Sequence, residues 1–77
     1  MAMKLSELKS GEVGCVTTLQ KLSQDARKRL MTMGMLPNTN ITLVRRAPMG
    51  DPLQVEVRGV SIALRVSIAD DIEVERV

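Results

Sequence analysis

Few side chains in this sequence could do chemistry: one thiol, Cys15; one acidic cluster, Asp70-Asp71 followed by Glu73 and Glu75; and the arginines Arg45, Arg46, Arg58 and Arg65 near the ends of apolar runs. A hydrolase or transferase needs a nucleophile with an activating base, a pair of carboxylates, or a metal ion. The chain has no histidine, so both the commonest base and the commonest nitrogen ligand are missing. A lone cysteine cannot form an internal disulfide, and it is most often a small buried apolar group in a reducing compartment. Glu73 and Glu75 share a strand face one full pleat apart, which suits a charged edge that resists aggregation. The alternative for Asp70, Asp71 and Glu73 is a weak Mg²⁺ or Ca²⁺ site, although they match no known cation-loop spacing. Gly11-Glu12-Val13-Gly14 and Met49-Gly50-Asp51 lack the spacing of phosphate-binding loops and read as turns. The expectation is a protein that is not an enzyme and holds no cofactor and no metal.

The arginines suggest a second kind of chemistry. Arg45, Arg46, Arg58 and Arg65, brought together from neighbouring strand ends, would form a basic patch able to contact RNA. Single-stranded nucleic acid is usually held on aromatic platforms, however, and the chain has no Phe, Tyr or Trp. The same absence removes the aromatic groove that grips proline-rich ligands. Solvation, or pairing with Glu56 and Asp51, is the plainer reading of these arginines.

Protein recognition is left. Methionine is flexible and polarizable and suits an adaptable contact surface, although Met33 and Met35 could equally fill a core. The candidate partner-binding set is Met31, Leu36 and Met49 as apolar anchors, with Arg45, Arg46 and Asp51 around them. It is pictured as a cleft between a helix ending at Met33 and the hairpin end at residues 45–51.

The elements that must position these residues follow from periodicity. Leu5-Ser6-Glu7-Leu8 suits one helical turn laid as a lid, held by its two leucines. Val13 to Leu19 reads as a strand in which Gly14 marks a bulge or a close backbone approach, and Cys15 and Val16 compete for the inner face. Ser23 caps a helix whose inward face is Ala26, Leu30 and Met33. Gly34 then ends it in a left-handed conformation, with Met35 closing back on Leu30, and Pro37 prevents continuation.

From Asn40 the period changes to two. Ile41 and Leu43 face inward, and Arg45-Arg46 ends the strand at a loop of residues 47–52. Leu53, Val55 and Val57 alternate with polar residues, and Arg58-Gly59 turns the chain into Val60, Ile62 and Leu64. Ser67 caps a short helical turn, and Ile72 and Val74 mark a last strand. The whole is mainly β: a small SH3-like barrel of about five strands with one inserted α-helix and short helical turns, forming a single domain over residues 1–77.

Size and composition agree with this. Seventy-seven residues, 44% hydrophobic and 26% charged, make one small domain with little room for a deep cleft. A net charge of +2 is too small to specify an acidic partner. No apolar run reaches the ~18 residues of a membrane span, so the expectation is a soluble, cytoplasmic protein.

Four motifs, in order, are similar to those of the ferrous iron transport protein A family, the small component of the bacterial Feo system. They are Leu5-x-x-Leu8-x-x-Gly11; Arg29-Leu30-x-x-Met33-Gly34-Met35-x-Pro37; Ala47-Pro48-Met49-Gly50-Asp51-Pro52; and Ile62-Ala63-Leu64-Arg65 with Ala69-x-x-Ile72-x-Val74. The pattern also resembles the SH3-like C-terminal domains of iron-dependent repressors. The resemblance implies a non-enzymatic accessory role in Fe²⁺ uptake, with ferrous iron transport protein B as partner, contacted at its cytoplasmic G-domain or cytoplasmic side, and an effect on GTP turnover. Asn38 stands where the family often has Gly, and Asn tolerates the left-handed conformation. Two other readings stay open: a small basic barrel that binds nucleic acid, and a regulatory module that self-associates through a strand edge.

Overall fold

The computed structural model describes residues 2–77. Its strands are β1 (Ala2–Lys4), β2 (Val13–Thr18), β3 (Asn40–Arg46), β4 (Leu53–Val57), β5 (Val60–Leu64) and β6 (Glu73–Arg76), and its helices are α1 (Gln24–Thr32) and α2 (Val66–Ala69). A 3₁₀ turn, Leu5–Glu7, follows β1. All pairings are antiparallel, in the order β1-β6-β2-β3-β4-β5. The sequence leads to an expectation of about five strands; the sixth is β1. It is too short to show a period and exists by pairing Met3 with Val74 across the whole length of the chain.

One side of this bent sheet converges on a single apolar core. Leu5 and Leu8 of the lid, Val16 of β2, Ile41 and Leu43 of β3, Leu53, Val55 and Val57 of β4, and Ile72 and Val74 are all fully buried. Val16 thus takes the inner face of β2 and Cys15 the other, where its thiol is half-buried. Gly14 is the close approach: a Cβ there would stand 3.0 Å from Val74 Cγ2 and 3.3 Å from Leu8 Cδ1. The irregularity in the strand lies further on, between Val16 and Thr18.

The helix begins as its sequence dictates, with the Ser23 hydroxyl accepting from the Ala26 N–H at 3.2 Å. It ends in a Schellman motif: Met35 N–H donates to Leu30 C=O at 2.9 Å, Gly34 N–H donates to Met31 C=O at 3.0 Å, and Gly34 sits at φ +98°. Met35 is fully buried there and Leu30 nearly so, whereas Met33 is 45% exposed. Met33 is therefore not part of the inward face. The tight helix ending turns it outward while Met35 takes the core position.

Two other local expectations are corrected. Val60 continues the inward alternation in sequence but is 47% exposed, because it lies at the hairpin tip, where no element covers it. Ser67 caps nothing; α2 starts at Val66, and its first N–H is taken by the Asp51 carboxylate at 3.1 Å. A side chain fifteen positions away does the work assigned to a local hydroxyl.

Candidate functional site

The residues of the candidate site fall into two groups. Along the β3–β4 ladder Ile41 pairs with Val57, and Arg46 pairs with Leu53. These points are roughly 17 Å apart at the usual rise of a strand. Gly34 packs against the Arg58 side chain, which fixes the end of α1 at the β4–β5 turn, the Ile41–Val57 end. Met31 and Leu36 belong to that end; Arg45, Arg46, Met49 and Asp51 belong to the other. The helix and the 47–52 loop therefore do not enclose one cleft.

The same register divides the arginines. Arg45, Arg46 and Arg65 lie toward the 47–52 loop, while Arg58 stands in the opposite turn, so the four do not make one basic patch. Arg46 is also occupied: its guanidinium donates to the Ser6 carbonyl and, at 2.9 Å, to the Leu8 carbonyl. It ties the lid to the end of β3. Arg45 Nε donates to Gln54 Oε1 at 3.2 Å. The expected pairing with Glu56 and Asp51 is not formed; Arg76 with Glu12, at 3.3 Å, is the one ion pair among the described residues.

What the 47–52 end does build is a groove of about 310 Å³, walled by Arg45, Pro48 and Pro52 and floored by Gln54 and Ala63. Met49 projects beside it, 93% exposed. The loop is held by Ala47 N–H donating to Pro52 C=O at 3.1 Å and Gly50 N–H donating to Ala47 C=O at 2.7 Å. An exposed thioether on a braced loop, next to proline walls and an arginine, can make apolar contacts with a cation nearby. Sequence reasoning finds Met49 and Arg45 here but misses Pro48, Pro52 and Ala63. Pro48 and Pro52 come from the loop itself, and Ala63 joins them only when β5 is laid beside β4.

A second groove, also about 310 Å³, runs between β1 and the start of β6, with Lys4 and Lys21 facing Asp70, Asp71 and Glu73. The Ser6 hydroxyl donates to the Asp70 carboxylate. Among the described residues no three Asp, Glu or Cys side chains converge enough to hold a metal ion, so the alternative cation site at Asp70, Asp71 and Glu73 is not assembled. No helix among the described residues is long and apolar enough to cross a membrane.

A strongly bent antiparallel sheet around one aliphatic core, with a 3₁₀ lid and a helix between its second and third strands, is a small SH3-like β-barrel domain. More particularly, the FeoA domain family matches residues 3–76, and the chain belongs to that family. It is similar to the solution structure of FeoA from Chlorobium tepidum, with a TM-score of 0.93 and 36% identity over 97% of this chain and 70% of that one. It is also similar to the zinc-complexed FeoA of Stenotrophomonas maltophilia, a procaryotic SH3 domain protein, with a TM-score of 0.81 and 32% identity over 95% of this chain and 89% of that one. T. acidophilum IdeR shares the fold, with a TM-score of 0.84 at 21% identity over 99% of this chain and 34% of that one. Among curated proteins, the chain is 34% identical over 73 residues to the Fe(2+) transport protein A/Fe(2+) transporter FeoB fusion protein of Porphyromonas gingivalis. That match takes in 95% of this chain and spans 8% of the fusion protein.

Proposed function

We propose that this domain serves ferrous iron uptake as an accessory protein, contacting a membrane Fe²⁺ transporter of the FeoB kind on its cytoplasmic side and catalysing nothing itself. The observation that carries this reading is the P. gingivalis fusion, in which a segment 34% identical to this chain is joined to FeoB in one polypeptide. Fusion of two modules holds them at an effective concentration on the order of millimolar, which makes even a weak contact effective. Where the two modules are not fused, the affinity has to come from surface groups free to bind. Here the 47–52 end has them: Met49 is exposed, the proline walls are rigid, and Arg45 stands at the rim. A contact at the transporter's G-domain would change its GTP turnover by favouring one conformation over another.

The test is titration of the 77-residue chain into the purified full-length transporter and, separately, into its cytoplasmic G-domain, with GTP hydrolysis followed in parallel. Saturable binding to the transporter supports the reading. Binding to the G-domain with a change in hydrolysis places the contact there. Absence of binding to the intact transporter refutes it.

A further inference from the structure

The strand β5 is an edge of the sheet, and it lacks the features that usually protect an edge. Its sequence, Val60-Ser61-Ile62-Ala63-Leu64, contains no charge and no proline, and its register with β4 runs from Val57–Val60 to Leu53–Leu64 without a bulge. The other edge, β1, is shorter and includes Lys4.

The hairpin register says which backbone groups are free. Val57 and Val60 flank a two-residue turn, so Val60, Ile62 and Leu64 aim their N–H and C=O groups at β4. Ser61 and Ala63 aim theirs away from the sheet, and among the described residues no other strand pairs there. Both residues are exposed and small, so a second backbone can approach closely.

Positive charge stands at both ends of this edge. Arg58 precedes β5, Arg65 follows it, and Arg45 lies two strands in along the row Arg45–Gln54–Ala63, while Glu56 faces Ser61 in the row between. None of the three has a carboxylate within ion-pair distance among the described residues. The groove walled by Pro48 and Pro52 opens beside Ala63 and has room for a side chain from a bound segment.

We infer that β5 is a docking edge for an extended, acidic segment of the partner protein, which adds to the sheet by pairing with Ser61 and Ala63, sets its carboxylates against Arg58, Arg65 and Arg45, and places one apolar side chain in the groove. Backbone pairing supplies affinity, and the arginines select the partner's charge. A second copy of this chain is a poor occupant. Antiparallel self-pairing centred on Ile62 sets Arg65 of each copy opposite Gly59 of the other, beside Arg58, and brings like charges together. That the partner is the transporter rests on the function proposed above; the acidic, extended character of its segment rests on the edge alone.

The experiment has two arms, each read by amide hydrogen exchange of the full 77-residue chain. In the first, the probe is a short blocked peptide of alternating valine and threonine with glutamates at both ends, compared with its twin carrying lysines instead. The glutamate peptide slows exchange of the Ser61 and Ala63 amides by at least about tenfold, and the lysine twin binds at least about tenfold more weakly. In the second, the probe is the intact transporter with wild-type chain, Ala63→Pro and Ser61→Glu. Proline at 63 removes an outward N–H that the β4–β5 ladder does not use, and glutamate at 61 leaves the backbone whole while setting a like charge against the acidic segment. Both variants weaken transporter binding at least about tenfold, and the complex protects the same two amides.

Binding of the transporter without that protection, and equally by both variants, overturns the docking edge and leaves the accessory function standing. Binding of the peptide but not of the transporter does the reverse. No protection by the glutamate peptide, equal binding of its lysine twin, or concentration-dependent protection of Ser61 and Ala63 by the chain alone overturns the inference.

Discussion

The Arg58 side chain lies across Gly34, with its Cδ 3.2 Å from the point a Cβ at residue 34 would occupy. This contact joins the end of α1 to the β4–β5 turn and separates the two halves of the candidate surface. It also yields a prediction. Gly34 holds φ +98°, so Gly34→Ala costs about 1–2 kcal/mol of left-handed strain, while the flexible arginine stem swings aside cheaply. Urea unfolding should show that loss, nearly unchanged in an Arg58→Ala background. Disappearance of the cost in that background would mean that the arginine, not the backbone, sets it.

Gly14 presents the opposite case. Its would-be Cβ meets Val74 Cγ2 at 3.0 Å and Val74 Cβ at 3.1 Å, within a buried and closely packed part of the sheet. Overpacking there costs about 1–3 kcal/mol, because neither strand can move away without breaking the β2–β6 pairing. Gly14→Ala is expected to lower the unfolding midpoint, and Val74→Ala in the same chain should recover part of the loss. Strict additivity of the two changes would show that they do not share the space.

Arg46 is the third test. Its guanidinium bridges the Ser6 and Leu8 carbonyls, so Arg46→Met should destabilise by about 1–2 kcal/mol, the range of a charge-assisted bond at a partly wet site. Arg46→Lys should recover little of this, since a compact ammonium lacks the fork that reaches both oxygens. The check is thermal unfolding together with exchange of the Leu8 amide, which donates to Leu5 within the lid and should exchange faster in both variants.

How far the sequence shows these features depends on the range of the forces involved. The Schellman ending at Gly34 and the alternation Leu53, Val55, Val57 are local, and the sequence reading and the structure agree on them. Met33 fails because a single residue of helix ending rotates it outward and gives the core position to Met35. Strand β1 has no local signal at all, since Met3 finds Val74 only when the chain is folded. Arg46 is hidden from the sequence in the same way: it looks like a rim charge until the lid, some forty residues earlier, presents its carbonyls. Met31 and Met49 look like neighbours until the strand register sets them at opposite ends.

The two methionines flanking the helix end give a sharp contrast. Met35→Ala removes a fully buried side chain and should cost about 2–5 kcal/mol, whereas Met33→Ala, at a site 45% exposed, should stay within about 1 kcal/mol. Equal losses in chemical denaturation would contradict the burial described for this turn.

The final prediction concerns the partner surface, whose candidate residues lie at the two ends of the β3–β4 ladder. Met49 is 93% exposed on a loop braced by its own backbone bonds, so Met49→Asp should leave stability within about 0.5 kcal/mol of the parent chain. If the 47–52 end is where the transporter docks, an unpaired carboxylate there weakens binding at least about tenfold, through lost apolar contact and desolvation of the new charge. Leu36→Asp, at the far end of the β3–β4 ladder, should leave binding unchanged. Titration of both variants against the intact transporter decides the matter: a loss at Leu36 and none at Met49 would move the docking surface to the end of α1.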